Sequence, residues 1–167
     1  MRLQFNKFEI GGFTVYETVG MVGEELPLSV TEEILPDHIP SVFMVTGGRF
    51  TLGPFPPDGR MYDMPQGFSA HLIESRPAGD RAVTCVEDFS SYICVNPPAD
   101  VPYALHRIEL PAGQSRVIQA GSVLFAGKGD YTLNGEALAA PGIIHANSGA
   151  MTLVAVTDFI GMEGWLL

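Results

Sequence analysis

The chain has 167 residues, 46% of them hydrophobic and only 17% charged, which suits a real apolar core and excludes a disordered linker. Nine basic residues against nineteen acidic ones give a formal charge of −10, and the arginines are too scattered to neutralise phosphates, so nucleic acid and anionic membrane surfaces are excluded as partners. No apolar run approaches the roughly 18–20 residues of a membrane span, and Met1-Arg2-Leu3-Gln4-Phe5-Asn6-Lys7 is too polar for a secretory signal, so a soluble protein made in the cytoplasm is expected.

Nineteen glycines and thirteen prolines cut the sequence into short segments rich in β-branched and aromatic residues. The first strand expected is Phe13-Thr14-Val15-Tyr16. Ser29-Val30-Thr31-Glu32-Glu33-Ile34-Leu35 has the one helical pattern, with Ser29 and Glu32 as a capping box and Pro36 as the stop. Strands are then predicted at Val42–Val45, Arg49–Leu52, Ala82–Val86, Tyr92–Val95, Ser115–Ile118, Ser122–Phe125, Tyr131–Leu133 and Met151–Val156. Runs this brief and this evenly interrupted indicate an all-β sandwich or barrel.

Cys85 and Cys94 flank a four-residue loop, Asp88 to Ser91, which would place them opposite each other on a hairpin. Two reduced, core-packed thiols are expected there, although the spacing also admits a disulfide. Gly67-Phe68-Ser69-Ala70-His71 lacks the second glycine of a nucleophile elbow and any following helix. Gly127-Lys128-Gly129-Asp130 is no phosphate loop, because no helix opens after it; it reads as a tight turn between strands. Glu87 and Asp88 read as solvated loop carboxylates.

An internal duplication organises these elements. Ser41–Leu52 aligns without gaps to Ser122–Leu133, with five of twelve positions identical. Glu25-Leu26-Pro27 matches Glu109-Leu110-Pro111, His71 matches His145, and residues 79–89 match residues 149–159 at Gly, Val, Asp and Phe. Two β halves follow, residues 1–89 with longer loops and residues 90–167.

Within the second half, Gly135 is followed after five residues by Pro141, then by Gly142, His145 and Asn147. Together with Val123-Leu124-Phe125-Ala126-Gly127 this resembles the core of a cupin, the RmlC-like jelly-roll β-barrel family. The resemblance implies tandem degenerate cupin-like halves forming one compact β-barrel or β-sandwich unit. Its first motif argues against metal chemistry: the positions that hold His, His and Glu in metal-binding cupins fall on Gln114, Arg116 and Gly121. His145 alone remains of the ligand set, and His38, His71 and His106 are separated singles. No metal, cofactor or catalytic residue is therefore read from the sequence. Metal-free cupin-like sugar epimerases pair a His base with a Tyr acid, and His145 with Tyr131 is only a remote analogue.

The expected role is a non-catalytic structural or assembly protein, a homo-oligomer or part of a larger assembly, with a virus-particle component as its concrete form. The apolar end Trp165-Leu166-Leu167 motivates this, since it must pack against a partner or the chain's own barrel. The alternative is a ligand-binding or enzymatic cupin with Gln114, Arg116, Tyr131 and His145 around the barrel mouth. There Arg116 would clamp a carboxylate or sugar phosphate. Alternation along Gln114–Ile118 favours an outward-facing Arg116 and counts against that alternative.

Overall fold

The computed structural model describes residues 4–27, 41–72 and 82–167, so the helix expected at 29–35 and His38 lie outside the described residues. Every regular element among them is a β-strand, as the segment composition indicates. None of the described residues forms a helix long and apolar enough to cross a membrane.

The chain divides into two compact units, Met1–Phe8 with Thr14–Pro97, and Glu9–Phe13 with Pro98–Leu167. The strands of the first part of the chain are β1 (Gln4–Ile10), β2 (Phe13–Gly20), β3 (Glu25–Pro27), β4 (Ser41–Gly47), β5 (Arg49–Phe55), β6 (Arg60–Pro65), β7 (Ser69–Leu72), β8 (Ala82–Cys85) and β9 (Ser90–Asn96). They form two sheets, ordered β1-β2-β9-β4-β7 and β3-β8-β5-β6. Then come β10 (Tyr103–Leu110), β11 (Ser115–Ile118), β12 (Val123–Lys128), β13 (Asp130–Leu133), β14 (Glu136–Ala139), β15 (Gly142–His145), β16 (Met151–Ala155) and β17 (Phe159–Leu166). Their sheets are ordered β10-β17-β12-β15 and β11-β16-β13-β14.

Apart from β1, the second pair of sheets repeats the first strand for strand. β2-β9-β4-β7 has the order of β10-β17-β12-β15, and β3-β8-β5-β6 that of β11-β16-β13-β14. The register repeats too. Val42 faces His71 as Val123 faces His145, and a bulge interrupts β4 at Val45/Gly47 as it does β12 at Ala126/Lys128. Loop hydrogen bonds recur: Gly23 N donates to Cys85 O as Gly113 N does to Ala155 O, and Val86 N to Arg49 O as Val156 N does to Asp130 O. One expectation shifts. Glu25-Leu26-Pro27 corresponds to Ser115-Arg116-Val117 rather than to Glu109-Leu110-Pro111, because β3 occupies the place of β11 and not the end of β10. β9 pairs with β2 and β4, and the first compact unit accordingly runs on to Pro97.

The expected Cys85–Cys94 hairpin is absent, because β8 and β9 belong to different sheets. Cys85 stands opposite Phe50 and Cys94 opposite Tyr16 and Phe43, and Phe89, at φ 59°, turns the chain from one sheet to the other. Both thiols are buried and free. They pack with Phe43, Phe50 and Tyr92, whose rings meet at centroid distances of 4.6 and 5.1 Å. Burying each such ring stabilises the unit by about 1.5–3 kcal/mol. The Gly127–Asp130 segment is likewise a corner between sheets: Gly129 has φ +105°, and a Cβ there would run into the carbonyl oxygen of Asp158. Gly48, at φ +64°, makes the same corner in the first unit.

In the second unit the core is built from Ile108, Ile118, Leu124, Tyr131, Leu153 and Phe159, with Tyr131 and Phe159 edge-to-face at 5.2 Å. β12 is buried throughout from Val123 to Ala126 because both of its faces are covered. Leu124 and Ala126 enter the core, while Val123 and Phe125 meet Gly11 and Phe13.

Candidate functional site

Strand pairing fixes which side chains enter the second barrel. On β17, Phe159 lies in the core, so alternation carries Glu163 and Trp165 onto the same inner face. Glu163 stands opposite His106 on β10 and opposite Leu124 on β12. On β11, Ile118 is a core residue and Arg116 pairs with the core residue Leu153, so Arg116 also faces inward. The outward Arg116 favoured by the sequence is corrected: Ser115 and Val117 take the solvent side, and the guanidinium crosses from one sheet to the other.

There it meets Glu163. Arg116 Nη2 donates to Glu163 Oε1 at 3.0 Å, and the backbone N–H of Gln119 donates to Oε2 at 2.9 Å. Glu163 is 1% exposed, whereas the Arg116 side chain is 38% exposed. A buried carboxylate is therefore fully paired, and it holds an arginine of which only one nitrogen is engaged among the described residues. A guanidinium carries five donors in a planar fork, so the arrangement presents a positioned, partly hydrated cation at this end of the barrel.

Beside the ion pair, the rings of His106 and Trp165 meet at 5.0 Å and 70°. The contact runs diagonally between β10 and β17, as same-face neighbours do. His106 is exposed and Trp165 half-buried, so this end of the barrel meets solvent. Of the C-terminal segment that motivated a partner, Trp165 packs on His106 and β17 pairs with β10 up to Leu166, which touches Gly12, while Leu166 and Leu167 stay exposed.

The four residues singled out from sequence do not converge. Gln114 is exposed, and its carbonyl accepts from Ala155 N. Tyr131 is 1% exposed within the core, and burial pushes its phenol above the usual range. His145 alternates with the core-packed Ile144, stands opposite Val123 and lies beside Gly11, on the other face of the sheet from Glu163. Arg116 alone enters this end of the barrel, and Glu163, His106 and Trp165 join it. Of the remaining candidates, Asp88 is a loop staple whose Oδ1 accepts from Val22 N at 3.0 Å, as Asp158 does from Ala112 N. Ser69 and His71 lie on a plain strand, so the nucleophile-elbow geometry is absent.

Neither a protein-family model nor a curated protein matches the sequence. Solved structures do. HutD from Pseudomonas fluorescens SBW25 superposes with a TM-score of 0.57 at 13% identity, over 93% of this chain and 80% of that one. A cupin 2 conserved barrel domain protein from Leptotrichia buccalis gives 0.53 at 8% identity, over 99% of this chain and 89% of that one. The fold is that of the cupins.

In the cupin frame, the residues present do not suit a divalent ion. Of the three first-motif ligand positions, Gln114 is exposed, Arg116 is a cation bonded to Glu163, and Gly121 has no side chain. The second-motif histidine, His145, lies on the opposite face of the sheet. Among the described residues no three His, Cys, Asp or Glu side chains are grouped to hold a metal.

Proposed function

We propose that the second cupin barrel binds a small carboxylate, with Arg116 as the residue that contacts it. One observation carries this reading: an inward-facing arginine is held from one side by a carboxylate 1% exposed, while its remaining donors stay accessible. A buried ion pair is a poor stability device, since apolar residues of similar volume commonly do as well or better. The first unit illustrates this, because the register places Leu26 and Cys94 where the second has Arg116 and Glu163. The pair is therefore better explained by what Arg116 presents than by the stability it supplies. A carboxylate suits the fork, which can pair with both oxygens.

Calorimetric titration with acetate, succinate and benzoate, each beside its amide, tests the reading. The acids bind the native protein, the amides do not, and Arg116→Met weakens the acids at least tenfold. Equal binding of acid and amide, or an unaltered Arg116→Met, rejects it.

The assembly role expected from the sequence is a second reading, supported by apolar side chains left in water, Val117 at 59% and Phe89 at 74% exposure. Light scattering at micromolar concentration tests its homo-oligomeric form: an oligomer dissociated by Val117→Lys supports it, and a persistent monomer rejects that form. The fold neighbours lend no support to its virus-particle form.

A further inference from the structure

We infer that the carboxylate taken at this site carries an aromatic ring, seated against Trp165 with the acid group on Arg116; this rests on the carboxylate reading above. Four observations point the same way. Trp165 is the chain's one tryptophan and lies two residues beyond Glu163 on β17, hence on the same inner face as the ion pair. It is half-buried, and its partner across the ladder is Ala104, whose side chain is too short to cover an indole. His106 already meets the indole edge-to-face, which fixes its orientation and leaves an offset-stacked third ring as the favourable addition.

The fourth observation is Ser122. It immediately precedes β12 and continues the alternation of Leu124 and Ala126 onto the inner face. Ser122 is 0% exposed, yet its hydroxyl has no hydrogen-bond partner, although its backbone is engaged with Gln119 and Ala146. Extending the β12–β17 register by one residue sets Ser122 opposite Trp165. An unpaired buried hydroxyl carries an unrecovered desolvation cost, which a ligand oxygen would offset. Ser122 and Arg116 thus supply two polar contacts for a carboxylate, and Trp165 an apolar plane beside them. A saturated acid would use the first two and leave the indole with His106 as its one ring partner among the described residues.

The experiment uses the full chain and four probes: benzoate, cyclohexanecarboxylate, glucuronate and benzamide. Binding is read by calorimetry and by Trp165 fluorescence. Benzoate is expected to bind at least tenfold tighter than cyclohexanecarboxylate or glucuronate and to change the emission. Trp165→Leu brings benzoate down to the level of cyclohexanecarboxylate, Trp165→Phe retains part of the preference, and Ser122→Ala weakens both acids severalfold. If the saturated acid or glucuronate binds as tightly as benzoate and Trp165→Leu changes nothing, the ring inference is overturned while the carboxylate reading stands. If benzamide equals benzoate and Arg116→Met is harmless, the carboxylate reading fails and so does this seating of the ring. Absence of binding by all four overturns both.

Discussion

Replacing Arg116 by leucine strips a buried carboxylate of its cation. Breaking a buried pair from one side costs about 3–5 kcal/mol, and the partial exposure of the Arg116 side chain, 38%, lets water soften this to about 2–3 kcal/mol. For a chain of this size that lowers Tm by roughly 4–12 °C. Glu163→Cys has a different cost, because it also leaves the Gln119 N–H without its acceptor, worth about 1–3 kcal/mol. The double variant, Arg116→Leu with Glu163→Cys, places in the second barrel the residues that the first has at the same register. It removes the charge and its counter-charge together. Its loss should therefore fall short of the two single losses combined by about 2 kcal/mol, well beyond the additivity expected of independent sites. Urea unfolding of the four proteins gives the cycle. Strict additivity would show that Glu163 is solvated rather than held, and would refute both the buried pair and the positioning of Arg116 built on it.

Three further outcomes follow from the geometry. Gly129→Ala should destabilise by about 2–4 kcal/mol in thermal unfolding, because φ +105° and the Asp158 carbonyl both oppose a Cβ. Asp88→Ala and Asp158→Ala should each cost about 0.5–1 kcal/mol, by the loss of equivalent loop bonds in the two units; denaturant midpoints compare them. Burial, with a smaller push from Glu24, raises the Cys85 thiol to about 11, and burial raises Cys94 further. The folded state thus keeps its thiol protons where the unfolded chain sheds them. Stability contributed by the neutral thiols is complete below about pH 8.5 and falls as pH rises towards 11, by about 1.4 kcal/mol per unit for each cysteine. Iodoacetamide at pH 8 should leave both thiols unmodified in the native protein, and rapid labelling of Cys85 would contradict its burial.

Much of the fold was legible because the segments around Val42, Arg49, Ser115 and Met151 carry strand composition between turn residues. β17 was not. Its sequence, Phe-Ile-Gly-Met-Glu-Gly-Trp-Leu, has glycines where strand formers are expected, and the reason is tertiary. A Cβ at Gly161 would strike the Phe125 carbonyl oxygen and the Phe159 ring, and one at Gly164 would crowd Phe13 and Leu105. Missing β17 meant missing Glu163 and reading Trp165 only as part of an apolar chain end. Arg116 was visible from its place in the degenerate motif, but its direction was not. Its partner lies 47 residues away on the other sheet, and nothing between Gln114 and Ile118 announces it. His145 misled for the opposite reason: a family motif marked it, while alternation against Ile144 turns it to the other face. The duplication was readable where both copies keep Gly, Thr, Val and Asp. It slipped at Glu25–Pro27, where a three-residue identity outweighed the position of a strand in its sheet.

A crystal structure of the full chain with bound benzoate decides whether Arg116 is the acid's partner. The carboxylate is expected within hydrogen-bond distance of Arg116, inside the second barrel at the end marked by His106 and Trp165, with Glu163 still bonded to Gln119 N. Benzoate seated in the first barrel, or beside His145 and Gly11, with Arg116 closed onto Glu163 through two nitrogens, would contradict it.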